Sequence, residues 1–257
     1  MAVNKQYFST SLEKGLNILS LFNKETPRLT QTDISKALGL NMTSTYRYIN
    51  TFVNLGYLEK DEKTKELRPG FRCLTFCSNL IRATDYLYLT ERLVDKIFLQ
   101  HNITIDVVFV IDDTLMRVFH REAEETLTYQ LPDVAKNCLH NTSVGKAFLS
   151  ALSESELKQT IDRIYFHIRT QKTISDKEQL LAEIEKVRTR GYAMNVEEYL
   201  AGLITIGAPL ISPVTGESIG AVSFDFSILQ NSADEIEEKF ADLIIDTAAA
   251  LSERLHR

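Results

Sequence analysis

Residues 29–57 read LTQTDISKALGLNMTSTYRYINTFVNLGY, two short helical segments separated by a glycine. Thr30 is placed to N-cap the first, with Asp33 three residues on to close a capping-box-like pair. That helix is expected to bury Ile34, Ala37 and Leu38 and to stop at Gly39, a residue suited to a left-handed C-terminal position. Asn41 caps the next segment. At 3.6 residues per turn, Thr45, Tyr48, Ile49, Phe52 and Val53 share one face, and Thr43, Tyr46, Arg47 and Asn50 share the other. Ser44 adds a further hydroxyl near the start of the helix. A helix with one packed face and one face of donors suits the major groove. Arg bonds guanine edges bidentately, Asn does so with adenine, and hydroxyls serve phosphates or bases. The stretch reads as a helix-turn-helix with Thr43, Ser44, Tyr46, Arg47 and Asn50 toward DNA.

Working outward, residues 10–23 place Leu12, Leu16, Leu19 and Phe22 at helical spacing, with Thr10 or Ser11 as a cap. Downstream, Tyr57–Lys60 and Glu66–Arg68 read as two short strands around the polar tip Asp61–Lys65. Such a hairpin behind a recognition helix is a wing, and Lys63 and Lys65 are its candidate phosphate contacts. From Phe71 to Ala83 apolar residues again recur at helical spacing, as in a connecting and dimerising helix. The expected domains are therefore 1–70, 71–85 and 86–257.

The third region mixes strands and helices. Ile105–Ile111, Met116–His120 and Thr126–Leu131 read as a meander, and Tyr192–Val196, Leu203–Pro209 and Ile219–Phe226 as three further strands. Helices are expected near Ser143–Leu152, Ser153–Ile164, Asp176–Arg190 and Asp234–Leu255. This grouping predicts an α+β sensor domain with helices on one face of the sheet. Within it, small residues in Asn141–Lys146 open a helix whose first N–H groups suit an anionic or strongly polar ligand.

Composition is that of a soluble globular protein, 44% hydrophobic and 25% charged. No run approaches the ~20 apolar residues of a membrane span, and the first residues lack the apolar core of a signal peptide, so a cytoplasmic protein is expected. Three cysteines cannot all pair and show no zinc-ligand spacing; the five histidines are scattered, so neither metal nor cofactor is expected. Net charge is −6, unevenly spread. Residues 1–70 hold ten Lys and Arg against seven Asp and Glu, a balance of +3, which leaves −9 on the remainder. A mildly basic module on an acidic body fits DNA contact confined to one end.

Two motifs suggest an enzyme and fail on context. Gly216–Gly220 satisfies G-x-S-x-G, but a nucleophile elbow needs a strand, a sharp turn and then a helix, whereas Ser218 precedes a strand pattern. Gly145-Lys146 lacks the first glycine of a phosphate loop, where His140 stands, and the Ser/Thr, where Ala147 stands. A serine-dependent hydrolase and a ligand sensor acting through protein partners are the competing readings; the expectation is a non-enzyme.

Taken together, SLEKGLNILSLF, LGLNMTSTYRYINTFVNLGYLEKD and PGFRCL resemble the winged helix-turn-helix of the IclR family of bacterial transcription regulators. HNTSVGKAFLSAL, KTISDKEQLLAEIEKVRTRGYAMNVEEYLAGL and IGAPLISPVTGESIGAVSFDFS resemble its effector domain, a GAF/PAS-like α/β fold. The resemblance implies a dimer or tetramer on double-stranded, palindromic operators, with no membrane association. It also implies a small-molecule effector, a small organic acid, sugar-derived or aromatic metabolite, that alters DNA affinity. Carried over by motif, Ser143, Val144 and Gly145 would offer backbone N–H groups. Asn195, Leu203, Thr205, Ser223 and Asp225 would line the rest, with Leu127 and Tyr129 as apolar walls. Two positions depart from the commoner pattern. Asn195 stands where an acidic residue is usual, and Asp225 where a small residue is frequent. A pocket-facing Asp225 disfavours a carboxylate beside it and favours hydroxyl or amine donors.

Overall fold

The computed structural model of this 257-residue chain describes residues 7–23, 26–83, 86–124 and 132–254. The chain divides into two compact units between residues 84 and 85.

In the first unit, α1 (Thr10–Ser20), α2 (Gln31–Leu38) and α3 (Met42–Asn54) surround a small core of Ile18, Ile34 and Ile49, closed by Leu58 and Leu67. The caps fall where residue chemistry places them. Thr30 and Asp33 form a reciprocal capping box, Gly39 is left-handed at the end of α2, and Asn41 Oδ1 accepts the Ser44 amide at 2.8 Å. Two expectations about faces need correction. Ala37 is exposed, and in α1 Leu12 and Leu16 are 63% and 54% exposed while Gly15 and Ile18 are buried. A Cβ at position 15 would lie 3.3 Å from Phe52, so close approach to α3 decides which stripe of α1 faces inward. Its N-cap is Ser9, rather than Thr10 or Ser11.

β1 (Leu58–Lys60) and β2 (Leu67–Pro69) pair antiparallel as the expected hairpin, one residue shorter and one residue later than read. Lys65 takes a positive φ at its tip, and Asp61 Oδ1 accepts the Lys63 and Thr64 amides. α4 (Phe71–Arg82) follows, held to the hairpin by an edge-on Tyr57–Phe76 contact and by Cys73 Sγ donating to Tyr57 O.

Among the described residues, the second unit holds a six-stranded antiparallel sheet in the order β5-β4-β3-β8-β7-β6. Its strands are β3 (Thr104–Ile111), β4 (Thr114–Arg121), β5 (Val134–Ala135), β6 (Ala193–Val196), β7 (Leu203–Ile211) and β8 (Ser218–Ser227). The α+β class holds, but helices cover both faces. Ile204, Ile206, Ala208 and Leu210 of β7 face α5 (Tyr86–His101) and α9 (Ala233–Arg254), joined by Phe224 of β8 and Phe240 of α9. The alternate residues face α6 (Ser143–Ser150), backed by α7 (Glu154–Arg163) and α8 (Lys177–Arg190). LITIGAPLI is nearly continuous in apolar residues because both of its sides are covered. The strand expected over Thr126–Leu131 lies outside the described residues.

Candidate functional site

α3 presents Thr43, Tyr46 and Arg47 exposed, with Ser44 and Asn50 half-buried at the margin of the same face; Thr45 and Ile49 are buried beneath them. The helix is thus anchored on one side and open on the other. On the wing, the cations differ. Arg68 forks onto Glu59 at 2.7 and 2.9 Å, and Lys65 pairs with Glu62 at 3.1 Å. Lys63 is exposed and, among the described residues, makes no ion pair, so it is the freer of the two expected phosphate contacts.

The second site is a cavity between the start of α6 and strands β3, β6, β7 and β8. It is lined by Asp106, Thr142, Ser143, Val144, Asn195, Tyr199, Leu203, Thr205, Ser223 and Asp225. Seven residues expected from the sequence therefore surround one space. Gly145 does not: Thr142 Oγ1 accepts its amide at 3.1 Å, and a Cβ there would lie 2.5 Å from Leu139. Its glycine answers to backbone contact, and the amides left without an intrahelical acceptor are those of Ser143 and Val144. Leu127 and Tyr129 lie outside the described residues.

Close approach builds the cavity. A Cβ on Gly207 would sit 3.2 Å from Ser143, so the bare position 207 lets the helix terminus approach β7 without crowding. Thr205 Oγ1 then donates to Ser143 Oγ at 2.7 Å. Asn195 spends both ends of its amide on the scaffold: Nδ2 donates to Asn141 O, and Oδ1 accepts the Glu198 amide at 3.1 Å. Behind the cavity Lys146, only 1% exposed, donates to Glu198 Oε1 at 2.5 Å, with Glu183 at 3.9 Å. Burial pushes the Glu198 carboxyl up and the lysine opposes that shift. A lysine so engaged supports the fold and is not a phosphate ligand.

The sequence reading missed Asp106, Thr142 and Tyr199. Asp106 is the one acid in the apolar run IDVVFVI, which was the available signal. It is 1% exposed and stands beside Asp225, 6% exposed. Burial first, then the neighbouring Asp106, pushes the Asp225 carboxyl well above the usual range. From β4, His120 Nδ1 reaches Asp106 Oδ1 at 2.7 Å and Arg117 Nη1 stands 3.7 Å away. Residues three apart normally lie on opposite faces of a strand; a bulge at Val107/Val108 brings both onto the face of Asp106. Tyr199 forms a wall, stacked from outside by the Arg169 guanidinium at 4.0 Å. The interior measures about 20 Å³, room for one water, so a larger ligand requires these walls to move.

Ser218 opens β8 and pairs with Ile211, with no helix following it. The nucleophile-elbow reading is excluded by that strand. No group of His, Cys, Asp and Glu suited to a metal occurs among the described residues, and no described helix is long and apolar enough to cross a membrane.

Comparison with known proteins adds a pattern along the whole chain. Residues 11–62 match the IclR helix-turn-helix domain, and residues 79–253 match the bacterial transcriptional regulator IclR C-terminal domain. The Pca regulon regulatory protein of Pseudomonas putida is 25% identical over 96% of this chain and 84% of its own. The regulator KdgR of Escherichia coli is 22% identical over 93% and 90%. Among solved structures, a putative IclR regulator from a Silicibacter species superposes with a TM-score of 0.80 at 20% identity, covering 95% and 96%. An IclR homologue from Microbacterium hydrocarbonoxydans, solved with 4-hydroxybenzoate, gives 0.70 at 18% identity, covering 96% and 99%.

Proposed function

The chain belongs to the IclR family of bacterial transcriptional regulators, and from that premise we propose that a small molecule bound in the α6 cavity sets its affinity for operator DNA. The protein is a DNA-binding transcription regulator with an effector-binding domain. The observation that carries the reading of the cavity is chemical. The Ser143 and Val144 amides at the helix terminus, the hydroxyl-bearing side chains of Thr142, Ser143, Tyr199, Thr205 and Ser223, and the carboxyl groups of Asp106 and Asp225 line one buried space. Polar groups gathered in a buried space call for a polar occupant.

On DNA, Thr43, Ser44, Tyr46, Arg47 and Asn50 are assigned to the groove, with Lys63 and Lys65 at flanking phosphate; the Glu62 partner weakens the contribution of Lys65. One +3 module attracts DNA weakly, so two copies on a palindromic site are expected, in a homodimer or homotetramer. Phe71, Leu74 and Leu80 are exposed along α4 and support self-association there. Neither an enzymatic activity nor a cofactor is assigned, and the protein is placed in the cytoplasm. An organic acid, sugar-derived or aromatic metabolite is the expected effector.

A thermal-shift screen of such compounds tests the cavity. A ligand at 100 times its dissociation constant stabilises the fold by about 2.7 kcal/mol. Hits should vanish in Ser143→Trp, which fills the space; hits indifferent to that change would place the effector elsewhere.

A further inference from the structure

The two walls of the α6 cavity differ in hydrogen-bonding character. On the helix side the Ser143 and Val144 amides are donors, at the positive end of α6. On the sheet side Asp106 lies opposite Ser223 and Thr104 lies opposite Asp225, so the two aspartates are diagonal neighbours on one face. Ser223 Oγ donates to Asp225 Oδ1 at 3.2 Å, and His120 and Arg117 approach Asp106 from β4. The cavity lining includes both aspartates but neither His120 nor Arg117. His120 and Arg117 lie behind the carboxyl groups, and what an occupant meets is oxygen.

Granting that this cavity is the effector site, we propose that Asp106 and Asp225 select an effector bearing a hydroxyl or amino group opposite its acid or carbonyl end. An acid or carbonyl oxygen finds donors at α6. A hydroxyl or amine finds acceptors at β3 and β8. A plain acid of the same shape leaves those buried oxygens facing a C–H group, and a diacid sets a second carboxylate against them.

Two matched sets test this on the full-length protein by titration calorimetry: propionate, 3-hydroxypropionate and 3-aminopropionate, and benzoate, 4-hydroxybenzoate and 4-aminobenzoate. In at least one set the hydroxyl or amino member should bind about tenfold or more tighter than the parent acid. Asp225→Asn, or Asp225→Ser if the first folds poorly, should remove that preference. The proposal is overturned if the parent acid binds as tightly, if the preference survives in both Asp106→Asn and Asp225→Asn, or if none of the six binds. Binding that persists in Ser143→Trp contradicts the cavity assignment itself. Binding lost there, but without preference for the donor-bearing member, contradicts only the role of the aspartates.

Discussion

Arg47 stands exposed on α3, on the face opposite the buried Thr45 and Ile49 that fix the helix, so its guanidinium moves on a rigid base. If it reads a guanine edge, Arg47→Ala should cost about 1–3 kcal/mol of operator affinity and relax base preference at one position. Titration against single-base operator variants checks this; unchanged affinity would remove Arg47 from the reading set. Asp225 makes a different prediction. Burial and Asp106 raise its folded pKa, so between the ordinary aspartate value and that raised value the native state holds more protons than the unfolded chain. Stability then falls as pH rises through that window and stays lower above it. Asp225→Asn keeps the shape without the ionisation. Its melting midpoint should exceed that of the wild type near neutral pH, and the gap should close on acidification. A constant gap in melts across about pH 4 to pH 8 would mean that ionisation of Asp225 is not the cause.

α6 shows how an element can be defined mostly by what its first turn touches. Thr142 caps it by accepting the Gly145 amide at 3.1 Å and ties it down by donating to Cys138 O at 2.6 Å. Thr142→Ala should cost about 1 kcal/mol, the usual value of a lost cap, and more if the Cys138 bond matters independently. Urea denaturation measures it; a change within error would mean the terminus is held by Gly145 and Gly207 contacts alone. The same element shows what the sequence could convey. The caps of α2 and α3 were legible because capping is local chemistry between residues three apart. The segment HNTSVGK announced a helix start on the same grounds. The face of α1 was not legible, because Leu12 and Leu16 fit the helical period as well as Gly15 and Ile18 do, and only contact with Phe52 chooses between them. Helices on both faces of the sheet were readable in the nearly continuous apolar run of β7, a cue that the grouping of strands and helices does not use. Asp106 was visible as a lone acid, but its convergence with Arg117, His120 and Asp225 depends on a bulge and on cross-strand register, which have no local signature.

Across the molecule, the charge balance separates tasks: +3 over residues 1–70 and −9 beyond them. So small a positive charge gives one module little non-specific hold on DNA, which throws specificity onto α3 and onto the pairing of copies. The effector domain holds a space of about 20 Å³ lined by buried polar side chains, which a ligand larger than one water must open. Opening it takes free energy, and any part of that cost shared with a change in operator affinity is reciprocal coupling. The central claim is that occupancy of this space and operator affinity are coupled. The most direct measurement is the operator dissociation constant of the full-length protein, by fluorescence anisotropy, with and without saturating amounts of the tightest-binding acid from the matched sets. For the wild type the ligand should shift that constant about 5- to 150-fold, and for Ser143→Trp it should leave it unchanged. A wild-type constant indifferent to saturating ligand, or an equal shift in Ser143→Trp, would contradict the account.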